Sequence, residues 1–198
     1  MTDNNLLKLE GINKRFGNVN VLKNINLNIK SGEIVALVGD NGAGKSTLIK
    51  VITGIHRPNS GNIYYKNKEV LIKSVAQSRK MGIEAVYQER ALCDQQELYR
   101  NMFAGREITN FLGFMNIKEQ RKESEKILRD YIGFTSKAIT VDSPVEGLSG
   151  GEKQGVAFGR SLYFDSDLII LDEPTMGLSI QETEKVLNFV RVLKDQNK

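Results

Sequence analysis

The chain has 198 residues and 22.2 kDa, with 40% hydrophobic and 26% charged residues. That is ordinary usage for one globular domain with room for a subdomain, and it excludes disordered and collagen-like classes. Lysine plus arginine exceeds aspartate plus glutamate by 28 − 24 = 4, but the cations are scattered, which reads as solvated faces rather than a nucleic-acid or membrane surface.

In chain order, the N-terminus has no basic stretch leading into an apolar one, so no secretory signal is read. Asn20–Ile29 alternates, with Leu22, Ile25, Leu27 and Ile29 among asparagine and lysine, and predicts a half-buried antiparallel strand. Ser31-Gly32 predicts a turn, and Glu33–Val38 a short buried strand of a parallel sheet. A glycine-rich turn and a helix over Lys45–Thr53 follow, then a loop at Pro58–Gly61 and an outer strand at Asn62–Tyr65. Residues 89–163 carry mostly helical patterns, including a helix over Lys118–Ile132. Asp167–Leu171 predicts another buried strand, and Ser179-Ile-Gln-Glu182 opens a last helix as a capping box. Its apolar stripe is Val186, Val190 and Leu193, with Leu187 beside it. The apolar runs Ile34–Val38 and Leu168–Leu171 fall far short of the roughly 18 residues of a membrane helix. Lone Cys93 forms no internal disulfide, which points to a reducing compartment, and lone His56 excludes a multi-histidine metal site.

This order predicts an α/β fold with an inserted helical subdomain. The expected organisation is a nucleotide-binding core and β subdomain over 1–88, a helical subdomain over 89–163, and a return to the core over 164–198.

Three segments carry chemistry. Gly39-Asp40-Asn41-Gly42-Ala43-Gly44-Lys45-Ser46 fits G-x-x-x-x-G-K-[ST] between a predicted strand and a predicted helix, the context in which that pattern cradles phosphate. Glycines let backbone N–H groups face the anion, and the helix opening at Lys45 adds its positive end. The Lys45 ammonium reaches the β/γ-phosphates, and the Ser46 hydroxyl is a Mg²⁺ ligand. Asp172-Glu173 ends the apolar strand Leu168–Leu171 and supplies one carboxylate for Mg²⁺ and one to polarise water as general base. Leu148-Ser149-Gly150-Gly151-Glu152 precedes a helix, with Ser149 and Glu152 at capping-box spacing. It reads either as a cap alone or as a second anion site at a helix N-terminus.

In this order, GDNGAGKS (39–46), LSGGEKQ (148–154) and LIILDEP (168–174) resemble the nucleotide-binding subunits of ATP-binding cassette transporters over nearly the whole chain. The resemblance implies a P-loop NTPase core with a mixed sheet, an antiparallel β subdomain and an inserted helical subdomain. It implies ATP and Mg²⁺ as cofactors and a head-to-tail homodimer that sandwiches ATP. Gly39 to Thr47 are then the ATP cradle, while Ser149, Gly150, Gly151 and Glu152 face the ATP of the opposite subunit. By the same match Gln88 contacts Mg²⁺ and the attacking water, where an ordinary strand-end glutamine is the alternative. Phe16 stacks on adenine, where a core or turn aromatic is the alternative. Two positions depart from the family pattern. Ser179 stands where an aspartate is usual, and no histidine follows the last helix, so the resemblance predicts a truncated chain with slow turnover.

The segments 101–108, 145–156 and 172–179 are similar to ATPases of simple-sugar importers with one cassette per chain. This implies an importer ATPase on the cytoplasmic face of the membrane, partnered by permease subunits and indirectly by a solute-binding protein, without nucleic acid. A soluble cassette ATPase acting on nucleic acid or ribosomes is the alternative, and a nucleotide-binding regulator without turnover a third. For the permease, the expected contact is an apolar patch of Leu98, Met102 and Phe103, flanked by Arg90 and Arg106.

Overall fold

The computed structural model describes residues 5–87, 92–129 and 139–195. The chain divides into two compact units, Met1–Ala85 with Ser166–Asp172 and Glu184–Lys198, and Val86–Asp165 with Glu173–Thr183.

The first unit is built on a long hairpin. Asn5–Phe16 (β1) pairs antiparallel with Val19–Lys30 (β2), and on its other edge with Ser60–Tyr65 (β3), which pairs with Lys68–Val70 (β4). Lys66 and Asn67 both adopt positive φ, the two-residue turn whose twist suits a tight hairpin. The alternation read in β2 holds: Leu22 is buried, and Ile25, Leu27 and Ile29 pack on the same core. That core joins Leu7, Leu9 and Ile12 of β1 to Leu48, Val51 and Ile52 of the helix Lys45–Ile52 (α1). Val75–Lys80 (α2) carries the chain to Ile83–Val86 (β5), which pairs with Leu168–Leu171 (β6). The carbonyl of Gly82 accepts the N–H groups of Asp167 and Leu168 at 2.9 and 3.0 Å, fixing where β6 begins. The Asp167 carboxylate takes the Lys66 ammonium at 2.7 Å and the Tyr65 hydroxyl at 3.3 Å. Burial first, and then this carboxylate, push the Tyr65 phenol up from its ordinary range.

Glu33–Val38 departs from its reading as a buried strand. Residues 33–40 form no strand, and Val38 is 88% exposed. An apolar run gains from a sheet only where a neighbour takes its N–H and C=O groups. Among the described residues β5 and β6 pair with each other, and no strand pairs with 33–38.

The second unit is helical. Leu98–Phe103 (α3), Ile117–Ile127 (α4) and Gly150–Tyr163 (α5) enclose a core of Leu98, Tyr99, Met102, Phe103, Ile127, Val145 and Val156. Asn116 caps α4 by accepting the Glu119 N–H at 3.1 Å, and the expected end of that helix at Ile132 lies outside the described residues. The buried Asn101 amide grips the loop before α3, accepting the Cys93 N–H at 2.7 Å and donating to the Cys93 and Gln96 carbonyls. A cavity of about 230 Å³ lies beside it, lined by Tyr99, Arg100, Met115 and Ile117 among others.

The apolar patch expected at Leu98, Met102 and Phe103 is absent: they are 0%, 1% and 1% exposed. At helical spacing all three face the core, where Phe103 meets Tyr163 edge to face at 4.9 Å. Arg90, expected at the rim, lies outside the described residues. An exposed apolar surface of this unit lies instead at the turn 109–115, bridged between Thr109 and Met115, where Phe111 is 95% exposed and Leu112 and Phe114 stand beside it. The Asn110 side chain holds that turn by accepting the N–H groups of Leu112 and Phe114.

Ile180–Asp195 (α6) begins in the second unit and continues in the first. Val186 and Leu193 are buried and Val190 is half-buried, as the stripe predicts, whereas Leu187 is exposed.

Candidate functional site

In the first unit the glycine-rich segment forms a turn that ends on Gly44, the residue before α1. Gly44 has φ 93°, a left-handed conformation, and a Cβ there would lie 3.0 Å from a Leu22 methyl and 3.1 Å from the Val21 carbonyl. The turn is closed by the Ala43 N–H on the Asp40 carbonyl at 3.1 Å, and α1 starts with the Leu48 N–H on Gly44. No side chain caps α1, and its first turn holds no acidic residue, so no side-chain acceptor answers the positive end of this helix. The half-buried Lys45 side chain curls back, and its ammonium donates to the carbonyls of Gly39 and Asp40 at 2.6 and 3.0 Å. Asn41, Gly42 and Ser46 are exposed, and Thr47 is half-buried. This is a glycine-rich turn leading into an uncapped helix N-terminus, with one cation held on the turn's own carbonyls, the chemistry a polyphosphate needs.

Phe16, at the end of β1, is 43% exposed, which sets aside the core reading. Its ring meets His56 edge to face at 5.0 Å and has the Lys14 ammonium 5.0 Å from its centroid. Asp172 closes β6 in the same unit as the cradle and is buried. Among the described residues no cluster of three or more His, Cys, Asp or Glu side chains exists to hold a metal. Mg²⁺ asks for less: one or two hard oxygen donors beside a phosphate, with waters completing the octahedron. The Ser46 hydroxyl and the Asp172 carboxylate are such donors. Gln88 lies outside the described residues.

The second unit holds Glu173 and the segment Leu148–Gln154. Glu173 is exposed and adopts φ 49°, left-handed for a residue with a full side chain. Its carbonyl accepts the Met176 N–H at 3.2 Å. At the start of α5, Ser149 and Glu152 form the capping box their spacing predicts. Glu152 accepts the Ser149 N–H at 2.8 Å, and Ser149 Oγ accepts the Glu152 N–H at 3.3 Å. The Gln154 amide donates to the Pro174 carbonyl at 2.7 Å, tying α5 to the loop after Glu173. Ser179 and Glu182 form the second capping box. Sequence reasoning missed one contact: the Gly151 N–H donates to Glu182 Oε1 at 2.8 Å. No spacing rule joins residues 31 apart, and the only trace is a glycine where a Cβ would strike Glu182.

The sequence profile of the ABC transporter family matches residues 22–176. The chain is 43% identical over 189 residues to the xylose/arabinose import ATP-binding protein XylG of Sulfolobus acidocaldarius, covering 96% of this chain and 74% of that one. It is 38% identical to the ribose import ATP-binding protein RbsA of Caldanaerobacter subterraneus subsp. tengcongensis, covering 98% of this chain but only 38% of the relative. Among solved structures it is similar to the ADP conformation of MJ1267, an ATP-binding cassette of an ABC transporter, with TM-score 0.80, 26% identity, and 98% and 78% of the two chains covered. It is also similar to the dimeric post-hydrolysis cassette MJ0796 bound to ADP and Pi, with TM-score 0.77, 26% identity, and 96% and 83% covered.

Proposed function

The chain belongs to the ABC transporter family as one of its ATP-binding cassettes, and we propose that it hydrolyses Mg·ATP to power a membrane importer of a simple sugar. The observation that carries this reading is the Lys45 ammonium held on the Gly39 and Asp40 carbonyls at the uncapped start of α1. Phosphate oxygens are better partners for that cation than neutral carbonyls are, so ATP draws Lys45 across the cradle. Phe16 offers a half-open ring to adenine. Ser46 and Asp172 would hold Mg²⁺, which when bound neutralises charge on the triphosphate. The exposed Glu173 carboxylate takes the proton of the attacking water. Gln88 contributes at the metal and the water by its family match alone.

Ser149, Gly150, Gly151 and Glu152 face the ATP of a second copy in a head-to-tail dimer, whose closing and opening drive the permease. The simple-sugar class is supported by the relatives XylG and RbsA, whose names give different sugars. No helix among the described residues is long and apolar enough to cross a membrane. The names of the import relatives support a cassette that acts from the cytoplasmic face on permease subunits, with a solute-binding protein acting through them. The exposed apolar turn around Phe111, with the cavity at Tyr99 and Met115, supports docking of the permease on the helical unit.

The test is ATP hydrolysis and sugar uptake by the chain assembled with its permease. Glu173→Gln should lower both by about 10²–10⁴-fold, the usual worth of a positioned base, while Mg·ATP binding persists. Undiminished hydrolysis in that variant would remove Glu173 from the role, and uptake of no sugar would refute the substrate class.

A further inference from the structure

Glu182 makes more bonds than a helix cap requires. Its Oε2 accepts the Ser179 N–H at 2.9 Å and the Ser179 hydroxyl at 2.8 Å, which suffices to open α6. Its Oε1 accepts the Gly151 N–H at 2.8 Å, on the first turn of α5. A Cβ at Gly151 would lie 2.5 Å from Oε1, so a side chain there would have to push the Glu182 carboxylate off this position. One side chain therefore serves two helix N-termini, and both contacts lie within the second unit.

A carboxylate and a phosphate oxygen make the same demand of a helix N-terminus: N–H donors and the positive end of the dipole. The Gly151 amide has one proton, which Glu182 already holds. We propose that Glu182 is an internal competitor, a carboxylate seated on the first turn of α5 where the phosphate of a second copy's ATP would bind. The inference rests on the reading of Ser149–Gly151 as facing that phosphate. In the lone chain the contact satisfies Gly151 and compensates the dipole of α5. When two copies close, the incoming phosphate displaces Oε1 or meets a like charge, and either way association is weakened. The Ser179 contacts survive this exchange because they use the other oxygen. Glu182 thus stays on α6 while it releases α5.

Two variants separate charge from contact. Glu182→Gln removes the charge and keeps one acceptor oxygen, enough for Ser179 or Gly151 but not both, and Glu182→Ala removes both acceptors. The first readout needs no nucleotide. Hydrogen exchange at the Gly151 amide should be faster by about tenfold in Glu182→Ala, the loss of one bond to a charged group, and unchanged exchange would overturn the contact. The second is self-association with Mg·ATP in the Glu173→Gln background, followed by sedimentation velocity. Adding Glu182→Gln should shift the midpoint to a protein concentration lower by roughly fivefold, a typical coupling between two sites. Binding of Mg·ATP to the dilute, single chain should not change. An unchanged or higher midpoint would overturn the competitor while leaving the dimer reading intact. If neither form associates with Mg·ATP, the dimer reading itself fails and the competitor falls with it.

Discussion

The openings of α1 and α5 are two helix N-termini of opposite design. That of α1 has no side-chain cap, no acid in its first turn, and a left-handed glycine before it. That of α5 is met by Ser149, Glu152 and Glu182, with three hydrogen bonds from 2.8 to 3.3 Å. The same dipole is thus left unmet at one end and answered by the chain's own groups at the other. An uncapped end costs stability and keeps donors ready for a ligand. A capped end is stable alone, and a ligand there must compete. The difference teaches that a phosphate seat is recognised by the acceptors it lacks as much as by its glycines.

The strongest way to break this contrast is at α1. Lys45→Ala removes the cation that crosses the cradle, and Mg·ATP affinity should fall by about 10–100-fold, the worth of a hydrogen bond to a charged group. Titration calorimetry reads it directly, and an affinity within twofold of the original would mean that the open amides suffice by themselves. At α5 the expected effect is of another kind. Ser149→Ala loses a cap and should lower folding stability by about 1 kcal/mol in urea, with no change in Mg·ATP binding by a single chain. A loss of nucleotide affinity there would erase the distinction between the two ends.

The smallest effect sharpens the contrast by moving away from both helices. Asp167, which helps anchor β6, meets the Tyr65 phenol, whose pKa is raised by burial and by that carboxylate. An unfolded tyrosine ionises near pH 10. Its contribution is therefore complete below about pH 10 and is lost as pH rises beyond it, because the unfolded chain gives up a proton that the folded one keeps. Tyr65→Phe should flatten the fall of the urea midpoint between pH 9 and 11. An equally steep fall in the variant would place the alkaline sensitivity elsewhere.

The parts of this site that were legible are the parts written in short range. The cradle from Gly39 to Ser46 and both capping boxes are fixed by residues within a few positions of one another, and spacing alone describes them. Glu33–Val38 was misread because apolarity states that a run wants a neighbour and not that one is present. Leu98, Met102 and Phe103 were misread because helical spacing defines a face without saying whether solvent or a core lies against it. The Gly151–Glu182 bond was invisible because it joins two segments that meet only once α5 and α6 have formed. The family match carried Gln88, which lies outside the described residues.

The backbone of Glu173 has a consequence for how this sequence can change. At φ 49° a side chain is opposed by its own carbonyl geometry, at about 1–2 kcal/mol relative to the right-handed form. Glycine escapes that penalty, and asparagine or aspartate largely does. With Glu173 in its proposed role as the base, position 173 is one where selection for folding and selection for turnover favour different residues. On that proposal, drift toward stability there would silence hydrolysis while leaving the nucleotide cradle untouched. A chain altered in that way would keep its ATP seat and lose the proposed step that follows binding.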